Sequence, residues 1–187
     1  MKTAEYLSVL VSIIVGLGMS QVLSGVANLL VDRRRVRFYW VWAVAVVMVF
    51  LANVQFWWST FSVGDAVATN FFSFVYFLLT PIALYLSAVV IVPDFEGEGE
   101  IDLKSHFYAN RRLYFGLLAA VPLLSASRSI LISGDPLFAP ERPFEALFVV
   151  LLASGALVAR EGYQKLVVVA LVVLFVAFIV FAGLQPG

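Results

Sequence analysis

Residues 8–28 read SVLVSIIVGLGMSQVLSGVAN, and no charged side chain interrupts this stretch. A helix that crosses a bilayer needs about 20 largely apolar residues, so the stretch predicts a membrane-spanning helix. Within it, a small or polar residue recurs at every fourth position. We call this set the small-residue row, and it comprises Ser8, Ser12, Gly16, Ser20, Ser24 and Asn28.

The composition of the chain extends this interpretation to the whole protein. Of its 187 residues, 63% are hydrophobic and 13% are charged, against roughly 45–50% and about 25% in soluble domains. A soluble fold of this length could not bury so much apolar surface, which indicates a polytopic membrane protein. Lys and Arg balance Asp and Glu, so no nucleic-acid partner is expected. The absence of cysteine excludes disulfides, thiol nucleophiles and cysteine metal ligands.

The sequence contains six candidate membrane spans, separated by charged or turn-forming segments. They lie at about residues 6–30, 38–60, 67–92, 113–132, 143–159 and 164–183. The first is too long for a signal-peptide core and has no small-residue cleavage site before the arginines, so we expect it to be retained. The fifth is short for a bilayer. No connection is long enough for a second domain, and residues 1–187 are predicted to form one all-α bundle of six transmembrane helices.

The basic residues predict the orientation of the bundle, because Lys and Arg favour the cytoplasmic side of a membrane. The connections after spans one, three and five hold Arg33, Arg34, Arg35, Arg37, Lys104, Arg111, Arg112, Arg160 and Lys165. The opposite side holds Lys2 and Arg142, while Arg128 falls inside span four. Both termini are therefore expected to face outward.

The small-residue row has two interpretations. Small residues at this spacing let two helices approach closely, as in packed membrane helices. Alternatively the row, together with Gln21, lines a polar path or a binding cavity. The amides of Gln21 and Asn28 favour the second interpretation, because an amide is costly to bury without a partner. The sequence leaves both interpretations open.

A second group of polar residues falls at similar depth, in the outer half of the predicted bundle. We call it the outer polar group, and it comprises Glu5, Asn53, Gln55, Asn70, Ser125, Arg128, Ser129 and Glu145. Arg128 is costly within a membrane unless it reaches the headgroups or meets a carboxylate. We expect it to pair with Glu145 at the start of span five, with Glu5 as the alternative partner.

The chain carries no recognised catalytic or cofactor motif, so neither an enzyme nor a cofactor is expected. The loop 94–102, DFEGEGEID, places acidic residues at alternate positions of a calcium-loop template. However, Ser105 stands at the position that should hold a bidentate glutamate. His106 is the only histidine, and no cysteine is present to complete a metal set with it. No metal site is predicted, and cation binding by the acidic loop stays an open alternative.

Three segments carry a resemblance to known proteins. EYLSVLVSIIVGLGMSQVLSG at residues 5–25, RRRVRFYW at 33–40 and VQFWW at 54–58 resemble a group of short bacterial membrane proteins with six spans and no assigned function. The resemblance implies a multi-pass protein of the bacterial inner membrane. It supplies no active-site residues.

Two functions fit these patterns. The first is an oligomeric channel or transporter for an ion or small solute, with the small-residue row and the outer polar group along its path. The second is a non-transporting sensor or accessory subunit whose small-residue row packs against a partner membrane protein. The clustering of polar groups at one depth favours the first. The expected partners are membrane lipids, together with further copies of the chain or another membrane protein.

Overall fold

The computed structural model describes residues 3–60, 71–95, 99–134, 136 and 139–183, and the side chains of all of these except 3–8, 132, 133 and 183. This part of the chain is helical almost throughout. Its helices are α1 (Thr3–Val31), α2 (Trp40–Ser59), α3 (Phe71–Ile91), α4 (Leu103–Arg128), α5 (Arg142–Leu157) and α6 (Glu161–Gly183). A π-helical turn, Ser129–Ser133, continues α4, and two short strands, β1 (Val36–Arg37) and β2 (Ile101–Asp102), lie in the connections.

Five of the helices are long and apolar enough to cross a membrane. Their candidate spans are Val9–Val31, Trp40–Ser59, Phe71–Ile91, Leu103–Leu131 and Glu161–Ala182. The all-helical prediction is confirmed, and the apolar bundle is compatible with a small integral membrane protein. Helix α5 has 16 residues, which makes it about 24 Å long at the usual helical rise. The sixth span and the outward-facing termini stay predictions.

Helix α4 begins at Leu103 rather than near residue 113, where the fourth span was expected to start. Asp102 caps it, because its carboxylate accepts hydrogen bonds from the backbone amides of Lys104 at 2.9 Å and Ser105 at 3.2 Å. Much of the predicted 93–112 loop is therefore helix. Hydropathy did not indicate this because the first turns of α4 are polar, whereas a capping aspartate is a helix-start signal in its own right.

The two strands join the α1–α2 connection to the α3–α4 connection. They pair in parallel, with Val36 opposite Ile101 and Arg37 opposite Asp102. Arg35 donates two hydrogen bonds to the carbonyl oxygen of Gly99, at 3.0 and 2.8 Å. Arg37 lies 3.7 Å from Glu100 and 3.8 Å from Asp102. The arginines of the α1–α2 connection therefore also bind the acidic α3–α4 connection. We call this arrangement the clasp. The opposite end of the bundle, where α2 ends at Ser59 and α5 begins at Arg142, is called the mouth end because the cavity described below opens there.

Buried hydrogen bonds between helices hold the half of the bundle near the clasp. Trp42 Nε1 of α2 donates to the carbonyl oxygen of Ile91 at the end of α3, at 2.7 Å. The Tyr114 hydroxyl of α4 donates to the carbonyl oxygen of Ala45 in α2, at 3.0 Å. Gln164 of α6, fully buried, donates to the carbonyl oxygen of Gly155 in α5 at 2.7 Å. Each bond ties one helix to the backbone of another.

Helix α1 packs on α2 and α3 through a face that repeats at alternating spacings of three and four residues. This face consists of Val11, Val15, Gly18, Val22, Gly25 and Leu29, all of them buried. Gly25 lies against Val92, just beyond α3, and Gly18 lies against Asn53 of α2. The two glycines let the backbone of α1 approach its neighbours closely.

We predict that Gly25→Ala destabilises the fold. A Cβ at this position would stand 2.5 and 2.7 Å from the Val92 methyl groups, and a β-branched side chain has little rotamer freedom with which to move away. The expected loss is about 1–3 kcal/mol in the free energy of unfolding, measured by thermal unfolding in detergent. Gly16→Ala is the control on the same helix, because a Cβ there meets nothing within 4 Å. Equal melting temperatures for the two variants would contradict the described packing of α1.

We also predict that Asp102→Ala destabilises the protein at neutral pH by a few degrees of melting temperature. The hydrogen bonds from Ser105 and Lys104, with the charge of Arg37, hold the pKa of Asp102 below its ordinary value. A lowered folded-state pKa means that this stabilisation is present above the unfolded pKa of about 3.9. It is lost as the pH falls through the folded value. The difference in melting temperature between the wild type and Asp102→Ala should therefore shrink as the pH falls below the pKa of the carboxyl group in the unfolded chain.

Glu100→Gln is the matched control for the cap. The Glu100 carboxylate faces Arg37 at 3.7 Å, and both side chains are more than half exposed. Exposed ion pairs of this kind add little to stability. If Glu100→Gln lowers the melting temperature as much as Asp102→Ala does, the loss in Asp102→Ala does not come from the cap. The same conclusion follows if the loss in Asp102→Ala does not change with pH.

Candidate binding cavity

A cavity of about 290 Å³ lies between α2, α3, α4, α5 and α6, in the half of the bundle away from the clasp. Along α4 it runs from Tyr114 to Arg128, a distance of about 21 Å at the helical rise. Its volume is at the lower end of the roughly 300–1,000 Å³ of small-molecule sites. The cavity is therefore narrow for its length.

The walls of the cavity are apolar, and many are aromatic. The aromatic lining residues are Phe56, Tyr114, Phe115, Phe144, Phe148, Phe175 and Phe178. The ring of Phe178 on α6 meets those of Phe144 and Phe148 on α5 edge-on, with centroids 5.9 and 6.3 Å apart. These contacts hold the α5–α6 wall in place, because edge-to-face ring pairs are favourable in that range. At the inner end the cavity is closed by Tyr114, whose hydroxyl is held by Ala45.

Polar and charged side chains gather at the mouth end of the cavity. They are Gln55, Ser59, Ser125, Arg128, Glu141 and Glu145. Gln55, Ser125, Arg128 and Glu145 belong to the outer polar group, so the structure brings four of its members to one site. The predicted clustering follows from the ends of α2 and α4 meeting the start of α5 at this end of the bundle.

The carboxylate of Glu145 forms a nearly buried ion pair with Arg142, one turn earlier on α5. Nη1 of Arg142 lies 2.7 Å from Oε2 of Glu145, and the two side chains are 13% and 15% exposed. Nη2 of Arg142 donates to the Ser129 hydroxyl at 3.0 Å. Arg142 thus links the start of α5 to the end of α4. Arg128 is the partner that the sequence predicts for Glu145, whereas Arg142 enters the predictions only as one of the basic residues that indicate orientation.

Arg128 lies at the same mouth but is held differently. Its guanidinium carbon is 5.4 Å from the centre of the Phe77 ring on α3. A cation over an aromatic face is stabilised by the ring's negative face, which lowers the cost of an arginine at this depth. Arg128 therefore anchors α4 against α3, while Arg142 anchors α5 against α4.

Glu141 contributes a carboxylate that has no partner within the described part of the chain. It precedes α5 and lines the cavity mouth. Among the described residues, none donates a hydrogen bond to its side chain or pairs with its charge. The same holds for the side chains of Gln55 and Ser125. These three side chains therefore line the cavity, and no described residue forms a hydrogen bond or an ion pair with them.

The remaining members of the outer polar group lie elsewhere. Asn53 is fully buried between α1 and α2, where its amide donates to the carbonyl oxygen of Val49 at 2.9 Å. A Cβ on Gly18 would stand 2.8 Å from its Oδ1, so Asn53 packs against α1 and not into the cavity. Ser129 accepts the hydrogen bond from Arg142. The side chain of Glu5 and the whole of Asn70 lie outside the described residues.

The small-residue row faces away from the other helices of the chain. Ser12, Gly16, Ser20, Ser24 and Asn28 are exposed, and Gln21 is half-buried. Another helix contacts the row at Ser12, where Trp57 Nε1 of α2 donates a hydrogen bond to the Ser12 hydroxyl at 3.2 Å. The side chain of Ser8 lies outside the described residues. Within one chain, the described helices therefore do not enclose a path lined by this row.

Sequence reasoning missed two kinds of residue at the site. Thr80, which is buried and lines the cavity, is not among the predicted site residues. Glu141 and the aromatic walls were not singled out at all. The pattern Glu141-Arg142-Pro143 does mark a helix start, because proline is favoured in the first helical turn. The aromatic walls carry no local signal, since phenylalanine is common on every face of a membrane helix.

The structure supports no metal centre within its described ranges. No group of three or more His, Asp or Glu side chains in them could hold a metal ion. In the acidic loop, residues 96–98 lie outside the described residues, and the Asp102 carboxylate is occupied by the cap of α4. His106 Nε2 lies 3.2 and 3.1 Å from the carbonyl oxygens of Val90 and Ile91, so it joins α4 to the end of α3.

Comparisons of the chain with protein-family models, with curated proteins and with solved structures find no match. The cavity and the side chains around it are therefore the observations from which a role has to be inferred.

We predict strong coupling between Arg142 and Glu145. Arg142→Met leaves the Glu145 carboxylate in apolar surroundings without its partner and should cost about 3 kcal/mol of stability. Adding Glu145→Gln removes the stranded charge, so the double variant should lose clearly less than the sum of the two single variants. Thermal unfolding of the four proteins gives the coupling energy, which we expect to be about 1–3 kcal/mol.

The same cycle with Arg128→Met is the comparison, because Arg128 is the partner that the sequence suggested. Its guanidinium stacks on Phe77, so its coupling to Glu145 should be smaller than that of Arg142. The opposite order would mean that Arg128 is the principal partner of Glu145.

Proposed function

We propose that the chain is a small multi-pass membrane protein that takes one amphipathic molecule into the cavity, as the binding step of a transporter. The observation that supports this is the division of the cavity into an aromatic, apolar interior and a polar, charged mouth. A molecule with an apolar tail and a polar head matches both parts at once.

The competing environment for such a molecule is the bilayer, and this determines which part of the site is selective. Lipid tails are as apolar as the cavity walls, so moving a tail from lipid into the protein gains little free energy. The polar head is different, because Gln55, Ser125 and Glu141 offer it hydrogen bonds and charge at fixed positions. We infer that the walls accept many tails and that the mouth selects the molecule.

The arrangement favours a carrier over an ion channel within one chain. A channel needs polar groups or backbone carbonyls along its whole path. Here the charged lining residues lie at the mouth, and the other end of the cavity is filled by Tyr114 and Phe115, which are fully buried. An ion path along the small-residue row would require several copies of the chain, since the row faces outward.

The proposal predicts that filling the cavity abolishes binding. Ala52 lines it, and Ala52→Phe places a ring in the narrow space. In lipid nanodiscs, we expect the wild type to bind one dodecyl amphiphile per chain, measured by native mass spectrometry with cationic, anionic and neutral head groups. Ala52→Phe should weaken this binding by about tenfold or more, equivalent to about 1.4 kcal/mol.

Leu51→Phe is the matched control, because Leu51 is the preceding residue and is 38% exposed on the outer surface of the bundle. It should bind as the wild type does. Absence of binding to the wild type, or equal binding by the two variants, would contradict a site in the cavity. Binding without movement of the amphiphile across proteoliposome membranes would reject the transport step.

A second candidate function, an accessory or assembly subunit, is favoured by the outward-facing small-residue row. Close helix packing in membranes uses small residues at this spacing, and a Cβ on Gly16 meets nothing within 4 Å in the chain itself. In this alternative the row packs against another helix in the membrane, and the simplest partner is a second copy.

Single cysteines test this alternative, because the wild type has none. Ser20→Cys should form a disulfide-linked dimer under mild oxidation in membranes if two copies meet through the row. Val22→Cys is the control, since Val22 is buried within the chain. Monomers only from both variants would reject self-association through α1.

A further inference from the structure

We infer that the molecule accepted by the cavity is a lipophilic cation, such as an amine or quaternary ammonium group on an apolar tail. This inference rests on the proposed binding function and names its ligand class. It follows from three features of the site: the charge available at the mouth, the aromatic rings next to that charge, and the narrow apolar interior.

At the mouth, the two arginines are engaged by other side chains, and one carboxylate is left without a partner among the described residues. Arg142 is held by Glu145 and Ser129, and the guanidinium of Arg128 stacks on the Phe77 ring, on the wall shared with α3. Glu141, in contrast, lines the cavity with a carboxylate that has no partner in the described part of the chain. Glu145 also lines the cavity beside it. A cationic head group would give Glu141 the counter-charge that the described residues do not supply.

The surroundings strengthen this preference. A cation that binds in the cavity comes close to this carboxylate, and the attraction between the two charges compensates for the water that the cation gives up. The rings of Phe56, Phe144 and Phe178 line the same end of the cavity as the glutamates. Aromatic faces attract ammonium groups, most strongly where water is excluded. The mouth therefore offers a cation a counter-charge with aromatic rings beside it.

The interior explains why the cation needs a tail. Below the mouth, the cavity is lined by apolar groups such as Leu118, Phe148 and Leu171. A small hydrated cation would leave these walls in contact with water or empty. An alkyl or aryl group fills them, so the tail contributes shape and the head contributes charge.

The test compares two ligands with the same tail and opposite charge, dodecyltrimethylammonium and dodecanoate. Binding to the wild type in phosphatidylcholine nanodiscs is measured by native mass spectrometry, with empty nanodiscs as the correction for partition into lipid. We expect the cation to bind about tenfold more tightly or better. Glu141→Gln should remove most of this preference by weakening the cation and not the anion.

Glu161→Gln is the control variant, because Glu161 is an exposed carboxylate at the clasp and pairs with Lys104 and Lys165. It should keep the wild-type preference. Tighter binding of dodecanoate, or a preference unchanged in Glu141→Gln, overturns the cation inference and leaves the binding function standing. Failure of both ligands to bind the wild type overturns the binding function itself. If Glu141→Gln does not fold, the relative affinity of the wild type for the two ligands still tests the preference for a cation.

Discussion

The structure depends on one constraint of an apolar interior: a buried donor without an acceptor costs free energy, so helices that carry such donors are held where a neighbouring helix supplies the acceptor. Trp42, Tyr114 and Gln164 each meet this constraint through a backbone carbonyl of another helix. These bonds connect α2 to α3, α4 to α2, and α6 to α5. Together with the clasp they close one half of the bundle, and the space that remains between the helices lies in the other half.

In the mouth half, side chains rather than backbone carbonyls supply contacts between helices, and they include a hydrogen bond between the hydroxyl groups of Tyr76 on α3 and Ser127 on α4 at 2.6 Å. Arg142 bridges α5 to the π-helical end of α4, and Arg128 rests on α3 through Phe77. Both arginines thus join neighbouring helices at the mouth end of the bundle. The glutamate that remains, Glu141, then gives the mouth its chemical character. The same side chains that stabilise the cavity thus determine which head group it would accept.

The all-helical fold could be predicted because the spans are long and uncharged, and five such helices are present. Details that depend on packing could not. The apolar residues of helix α1 are spread around its circumference, so hydrophobic periodicity does not show which face is buried. The small-residue row is the most conspicuous pattern in its sequence, but the buried face is a different one and carries Gly18 and Gly25. The partner of Glu145 was missed because a helical neighbour, Arg142, had been read as an orientation signal. The shared depth of Gln55, Ser125, Arg128 and Glu145 was the part of the site that the sequence did indicate, and all four line the cavity.

Site-resolved photolabelling tests the central claim, that the cavity holds the tail of an amphipathic molecule. A dodecylamine carrying a diazirine in its tail would be activated in nanodiscs, and the labelled residues identified by peptide mass spectrometry. We expect label on Leu118, Phe148 and Leu171, which line the cavity, and loss of that label in excess dodecylamine. Label confined to outward-facing residues such as Leu17, Leu23 and Val173, unaffected by excess dodecylamine, would contradict it.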